Sequence, residues 1–199
     1  MSPDNPLYAW GGLNRLLFLW INGFHSTWWD TLMLTMTALG NHDNYPIYIA
    51  LALLLSTWRP LWLPRNNVLI FGVGYVITGL IVMQLKPLLD FPRPLLALGS
   101  HWVEVVGRPE YHRSFPSGHA TFAVLLAASL AYQSIRPLRW LLWSFALLVS
   151  LSRPVLGAHF PADVLGGALI AYLTVYSLRW LDRWLFPAKA LPVPVIKND

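Results

Sequence analysis

The sequence predicts an all-α integral membrane protein, a bundle of six transmembrane helices with its polar clusters at the outer face. Three observations support this. The 199-residue chain is 56% hydrophobic and only 12% charged, a balance typical of membrane proteins. Apolar runs approaching the ~20 residues needed to cross the hydrocarbon core recur along it. Basic residues divide between two sets of connections, and the clusters that could do chemistry all fall in one set.

Taken in order, the first apolar stretch, 7–24, is interrupted by Asn14, Arg15 and Asn22 and reads either as a spanning helix or as one lying in the interface. Trp28 to Leu39 is too short to cross alone and reads as a short or re-entrant helix. Five fuller segments follow at 45–63, 66–86, 118–136, 138–157 and 162–186. The longest connection, 95–115, mixes Trp102, Val103, Val105 and Val106 with Glu104, Arg108, Glu110 and His112, as a partly amphipathic segment resting at the membrane surface would. Pro187 to Asp199 holds three prolines and no periodicity, the pattern of a loose cytoplasmic tail after a single domain over 1–186.

Charge orients the bundle. With six crossings, Arg59, Arg65, Arg136, Arg139, Arg179, Arg183, Lys189 and Lys197 share one side, which the positive-inside rule assigns to the cytoplasm. Lys86, Arg93, Arg108, Arg113 and Arg153 lie opposite, facing the periplasm or exterior, against the rule. Trp58, Trp62, Trp140, Trp143, Trp180 and Trp184 sit near the cytoplasmic helix ends, where indole favours the headgroup boundary. Ala123, Ala127 and Ala131 form a smooth stripe for close packing, and Gly166 and Gly167 suit the same use.

Composition also narrows the chemistry. The chain has no cysteine, which excludes disulfides, thiolate metal sites and cysteine nucleophiles. Its formal charge of +5 is scattered rather than clustered, so no nucleic-acid partner is expected. No cleavable signal peptide is recognisable at the start, and nothing specifies an oligomeric state.

Three polar clusters interrupt the apolar sequence. Lys86 offers a compact charge, while Arg93 and Arg153 offer planar forks that match phosphate oxygens. Pro92 and Pro94 restrict the backbone on either side of Arg93. Interfacial snorkelling explains any one of these cations, but not why all three accompany histidines. Ser117 and Gly118 stand where a loop becomes a helix, so a cap, backbone amides and the helix dipole could receive an anion. An ordinary cap explains Ser117 alone; it does not explain His119, an ionisable group entering an apolar helix. His159 precedes the last helix, and Asp163 four residues later could aim its carboxylate back at the ring. Asp163 could equally serve only the helix dipole.

Together these clusters contain Lys-x6-Arg-Pro (Lys86 to Pro94), Pro-Ser-Gly-His (Pro116 to His119) and Ser-Arg-x5-His-x3-Asp (Ser152 to Asp163). Complete and in this order over about 80–170, they resemble the three motifs of the type 2 phosphatidic acid phosphatase superfamily, which includes bacterial lipid phosphatases and vanadium haloperoxidases. Pro154, directly after Arg153, is a mild departure that touches no motif position. The resemblance implies that His159 is a nucleophile forming a phosphohistidine, that Asp163 orients it, and that His119 protonates the departing oxygen and then activates water. It also implies that Lys86, Arg93, Ser117, Gly118 and Arg153 hold the phosphate, with no metal and no cofactor. The implied partner is a lipid phosphate in the bacterial inner membrane. Undecaprenyl pyrophosphate ranks first, ahead of phosphatidylglycerophosphate, phosphatidic acid and lipid A phosphates.

Three rival readings lead elsewhere. A metal hydrolase would draw ligands from His112, His119, His159 and Asp163, although three nearby cations oppose a divalent ion. A transporter would place its ionisable groups near mid-membrane on broken helices. A haloperoxidase is ordinarily larger and soluble.

Overall fold

A computed structural model describes residues 9–186. Among them are eight α-helices and no strand. They are α1 (Leu13–Asn22), α2 (Thr27–Leu39), α3 (Tyr45–Trp58), α4 (Arg65–Leu89), α5 (Pro94–Leu98), α6 (Gly118–Leu130), α7 (Arg136–Val155) and α8 (Pro161–Leu185). The expected tail at 187–199, with Lys189 and Lys197, lies outside the described residues, as does the start of the 7–24 segment.

The chain is an integral membrane helical bundle. The stretch from α4 into α5 has a mean hydropathy of 2.2 and α8 one of 1.4, and both are long enough to cross a bilayer. The six-helix count is approximate. At 10 residues, α1 rises about 15 Å, too little to span alone. The asparagines that interrupt its sequence are buried and tie it to the end of α7 and the start of α8. Asn14 Oδ1 accepts from Ala162 N at 3.0 Å, and Asn22 Nδ2 donates to Val155 O at 2.9 Å. The 13-residue α2 is the short helix expected at Trp28–Leu39, and it packs against α7.

Two helices stop earlier than their apolar runs. The 45–63 segment is helical only to Trp58, because Pro60 disfavours helical geometry at Arg59 and the chain turns there, with Trp62 N donating to Arg59 O at 2.8 Å. The 118–136 segment ends at Leu130, since side chains from other helices satisfy its last carbonyls. Asn67 of α4 donates to Tyr132 O at 2.5 Å and Leu130 O at 3.3 Å, and Arg179 of α8 donates to Ser129 O at 2.6 Å. Arg179 therefore caps a helix as well as contributing positive charge.

The core is built around α6, which packs against α4, α7 and α8. Every residue from Ala120 to Ala127 is buried, so this helix is apolar on all sides. Ala123, Ala127 and Ala131 are within 4% of full burial, as the small-residue stripe predicts. Across from them, a Cβ built on Gly167 would lie 2.5 Å from Ser117 O and 2.7 Å from Thr121 Oγ1. The adjacent Gly166 makes equal room for the Phe115 ring. Gly167→Ala is expected to force α8 away from the start of α6, costing about 1–3 kcal/mol. The check is a lower apparent melting temperature in detergent; an unchanged one would mean the helices shift apart freely.

At the far end of the bundle from Arg179, the 95–115 connection lies over α7 and α8. Val103 is buried with Phe18, Phe91 and Phe160, while Glu104 and Arg108 face outward, matching the amphipathic expectation, and Glu110 reaches in to Arg93. Gly157 permits this close cover, having a φ of +73° and a Cβ position only 2.5 Å from Glu104 O.

Candidate active site

A cavity of about 620 Å³ opens where α4 ends and α6 and α8 begin. Lys86, Arg93, Gly118, His119, Arg153 and His159 line it, with Ser117 and Asp163 fully buried beside it. All eight residues singled out from sequence therefore converge on one region. The other wall is apolar, formed by Tyr75, Val82 and Met83 of α4 and Phe122 of α6. A charged pocket continuous with an apolar wall suits a ligand with an anionic head and a hydrocarbon chain.

Each side chain is positioned by local structure. Lys86 sits in the last turn of α4, and its Nζ donates to Arg113 O at 3.3 Å. Asp90 closes that helix in the left-handed region at φ 39°, turning the chain back toward the pocket. Arg93 caps α5, whose Pro94 needs no hydrogen-bond partner at the first helical position. Its guanidinium is almost wholly committed. Nε donates to His112 O at 3.0 Å, Nη1 to Ala158 O at 3.1 Å and to His159 Nε2 at 3.3 Å, and Nη2 pairs with Glu110 Oε2 at 2.6 Å. Arg153 projects from the last turn of α7, where Nη1 donates to the hydroxyl of Thr37 on α2. Its buried Nε has no protein partner, so a donor is left over for a ligand.

Ser117 is the N-cap of α6, accepting from Ala120 N at 3.5 Å, and its own N–H donates to Asp163 O at 3.0 Å. That second bond locks the start of α6 to the start of α8. A Cβ built at Gly118 meets nothing within 4 Å, so this point of the backbone faces open cavity. His119, one residue on, is half-buried and lines the same space.

His159 is 1% exposed. Burial first, and then the charges of Arg93, Arg153, Lys86 and His119, push its pKa well below the usual 6.5, so the imidazole is neutral. Because Nε2 accepts from Arg93, the ring proton belongs on Nδ1. Nδ1 lies 3.4 Å from Asp163 Oδ2, within reach but short of an aligned hydrogen bond. The same Oδ2 accepts from Ser114 Oγ at 2.6 Å and from Phe160 N at 2.8 Å. Asp163 is thus both the N3 partner of its own helix start and a fixed neighbour of the histidine.

Several contributors were not singled out from sequence. Thr37 holds Arg153, Glu110 holds Arg93, and Ser114 holds Asp163. The turn containing Asn41, His42 and Asp43 forms part of the cavity rim. Only Ser114 carried any signal, being next to the Pro-Ser-Gly-His run. His112, weighed as a metal ligand, turns away to within 3.8 Å of Asp90 and is largely exposed. Among the described residues no three His, Asp or Glu side chains are grouped as metal ligands would be.

An all-helical membrane bundle with cations and histidines at one end of its central helices defines a protein that handles an anionic group at a membrane. The chain belongs to the PAP2 superfamily, whose model matches residues 67–186, and within it to the lipid phosphatases. It is 32% identical to undecaprenyl-diphosphatase BcrC of Bacillus subtilis (strain 168), over 81% of this chain and 80% of that protein. It is 27% identical to phosphatidylglycerophosphatase B of the same organism, over 78% of this chain and 76% of the relative. Among solved structures, LpxE of Aquifex aeolicus superposes with a TM-score of 0.73 at 28% identity, covering 84% of this chain and 95% of that one. A transmembrane PAP2-type phosphatidylglycerolphosphate phosphatase from Bacillus subtilis also gives 0.73, at 21% identity, and supports the fold.

Proposed function

We propose that this protein is a metal-independent phosphatase acting on undecaprenyl pyrophosphate, its chemistry carried by one transmembrane domain over 1–186. The observation that carries the mechanism is the buried neutral His159, held between Arg93 and Asp163 at the floor of a cationic cavity. Lys86, Arg153, the one uncommitted N–H of Arg93, the Ser117 hydroxyl and the Gly118 N–H receive the terminal phosphate. As Arg93 Nη1 turns from His159 Nε2 to the phosphate, the freed Nε2 lone pair attacks phosphorus and the bond to the bridging oxygen breaks. His119 donates a proton to that departing oxygen. Nδ1 keeps its proton, and Asp163 stabilises the positive charge that develops on the ring. His119, now neutral, takes a proton from water. The resulting hydroxide attacks the phosphohistidine, releasing phosphate and restoring His159.

The choice of undecaprenyl pyrophosphate is supported by the likeness to BcrC across four fifths of both chains. The likeness to phosphatidylglycerophosphatase B keeps phosphatidylglycerophosphate as a second reading, with phosphatidic acid and lipid A phosphates as the remaining alternatives. Purified protein assayed in detergent against these lipids should give the highest kcat/KM with undecaprenyl pyrophosphate. Preference for another lipid by tenfold or more would replace the substrate and keep the class. The same assay in excess chelator should proceed at an undiminished rate, because three cationic side chains neutralise the phosphate. Loss of activity in chelator, restored by zinc or magnesium, would overturn the metal-free mechanism.

The site is proposed to face outward from the bacterial inner membrane, following the distribution of basic residues. In this cysteine-free chain, an impermeant thiol reagent on intact cells should label Glu110→Cys and spare Gln133→Cys. The reverse pattern would put the cavity on the cytoplasmic side.

A further inference from the structure

We propose that the end of the bundle opposite the catalytic cavity carries a binding site for an anionic phospholipid of the adjoining leaflet. Helices α7 and α8 each lie along α6 but scarcely touch one another. Beyond the C-terminal end of α6 the gap between them widens into a second cavity, again about 620 Å³. Its walls include Arg139 and Trp143 of α7, Tyr176, Arg179 and Arg183 of α8, and Tyr132 from the turn after α6. No Asp or Glu lines it, and among the described residues none of the three arginines forms an ion pair with a carboxylate. Asp182, the neighbouring acid on α8, instead accepts from Asn66 of α4 at 2.7 Å.

The arrangement is more specific than arginines snorkelling at a helix end. Arg179 is fixed, with Nη2 bonded to Ser129 O at 2.6 Å and Asn67 Oδ1 at 3.2 Å, and its guanidinium 3.9 Å above the Tyr132 ring. Those bonds use Nη2 alone, leaving Nε and Nη1 of a cavity-lining arginine as donors for a ligand. Arg139 and Arg183, both exposed, flank it from the two helices. The floor continues inward as Ala128, Ala131 and Val175. One fixed guanidinium flanked by two exposed ones matches a phosphate diester, and the small apolar floor beside Trp143 matches the start of an acyl chain. A basic pocket between transmembrane helices is where anionic headgroups are held. A lipid there would bridge α7 and α8, which the protein itself leaves nearly unjoined.

The test is lipid retention by the purified full-length chain, titrated with dioleoyl-phosphatidylglycerol or dioleoyl-phosphatidylcholine and read by native mass spectrometry. Arg139→Gln/Arg183→Gln is the informative variant, because both side chains are exposed and neither caps a helix. Wild type should hold phosphatidylglycerol in preference to phosphatidylcholine, and the double variant should bind it roughly tenfold more weakly. A Lys86→Gln variant should retain it as wild type does. Equal retention of the two lipids, or unchanged binding by the double variant, would overturn the proposal. Loss in Lys86→Gln alone would place the lipid in the catalytic cavity and refute it equally. Inorganic phosphate displacing the lipid at millimolar concentration would make this a site for soluble anions and overturn the lipid assignment.

Discussion

His159→Ala is expected to reduce turnover to below about 10⁻⁴ of the wild-type rate while the protein stays folded in detergent. No other side chain can substitute. His119 lies on α6, away from the loop before α8 that carries His159, and Nε2 of His159 is the ring nitrogen that faces Arg93 and the cavity. The truncation leaves Arg93 with its bonds to Ala158, His112 and Glu110, so no buried charge is stranded. Rapid quench of the wild type with labelled lipid should trap acid-labile phosphate, and the variant should trap none. Near-normal steady-state turnover in a clean preparation would eliminate His159 as the nucleophile. The same residue links stability to pH. Its pKa is lowered in the folded protein, so below about 6.5 the unfolded chain binds a proton that the folded one excludes. Stability contributed by the neutral ring is full above that value and is lost as the pH falls toward the folded pKa. Apparent melting temperature should therefore fall from pH 7 to pH 5 more steeply in wild type than in His159→Ala.

The second large effect is expected from Asp163→Asn, which should slow phosphoenzyme formation by about 10⁴-fold and change lipid affinity only a few-fold. The amide keeps an acceptor oxygen for Ser114 Oγ and Phe160 N, so the start of α8 stays in place. What it loses is the negative charge facing Nδ1, an interaction that strengthens only as the imidazolium forms. Rapid mixing separates the two steps. Weakened lipid binding with intact phosphoenzyme formation would make Asp163 a structural residue and dissolve the pair. Asp163→Ala should be worse in a different way, because the buried hydroxyl and amide that now donate to the carboxylate would be left without an acceptor.

The sequence by itself determined that the chain is a helical membrane bundle, since apolar length and sparse charge decide how a chain meets a bilayer. It also made the eight proposed site residues legible. They stand in short runs at helix ends, where spacing alone decides which residues share a turn: Ser117 before α6, and Asp163 four residues after His159. Tertiary structure decided the partners. Thr37 and Arg153 are 116 residues apart, and Ser114 and Asp163 are 49 apart, so no local pattern could pair them. Helix length was settled in the same way. The apolar run after Gly118 promises a full crossing, yet Asn67 and Arg179, brought in from α4 and α8, take up the last carbonyls and end α6 at Leu130. A periodic apolar sequence sets where a helix can form. Where it stops, and which polar group meets which, depends on satisfying every buried donor and acceptor once distant segments are packed together.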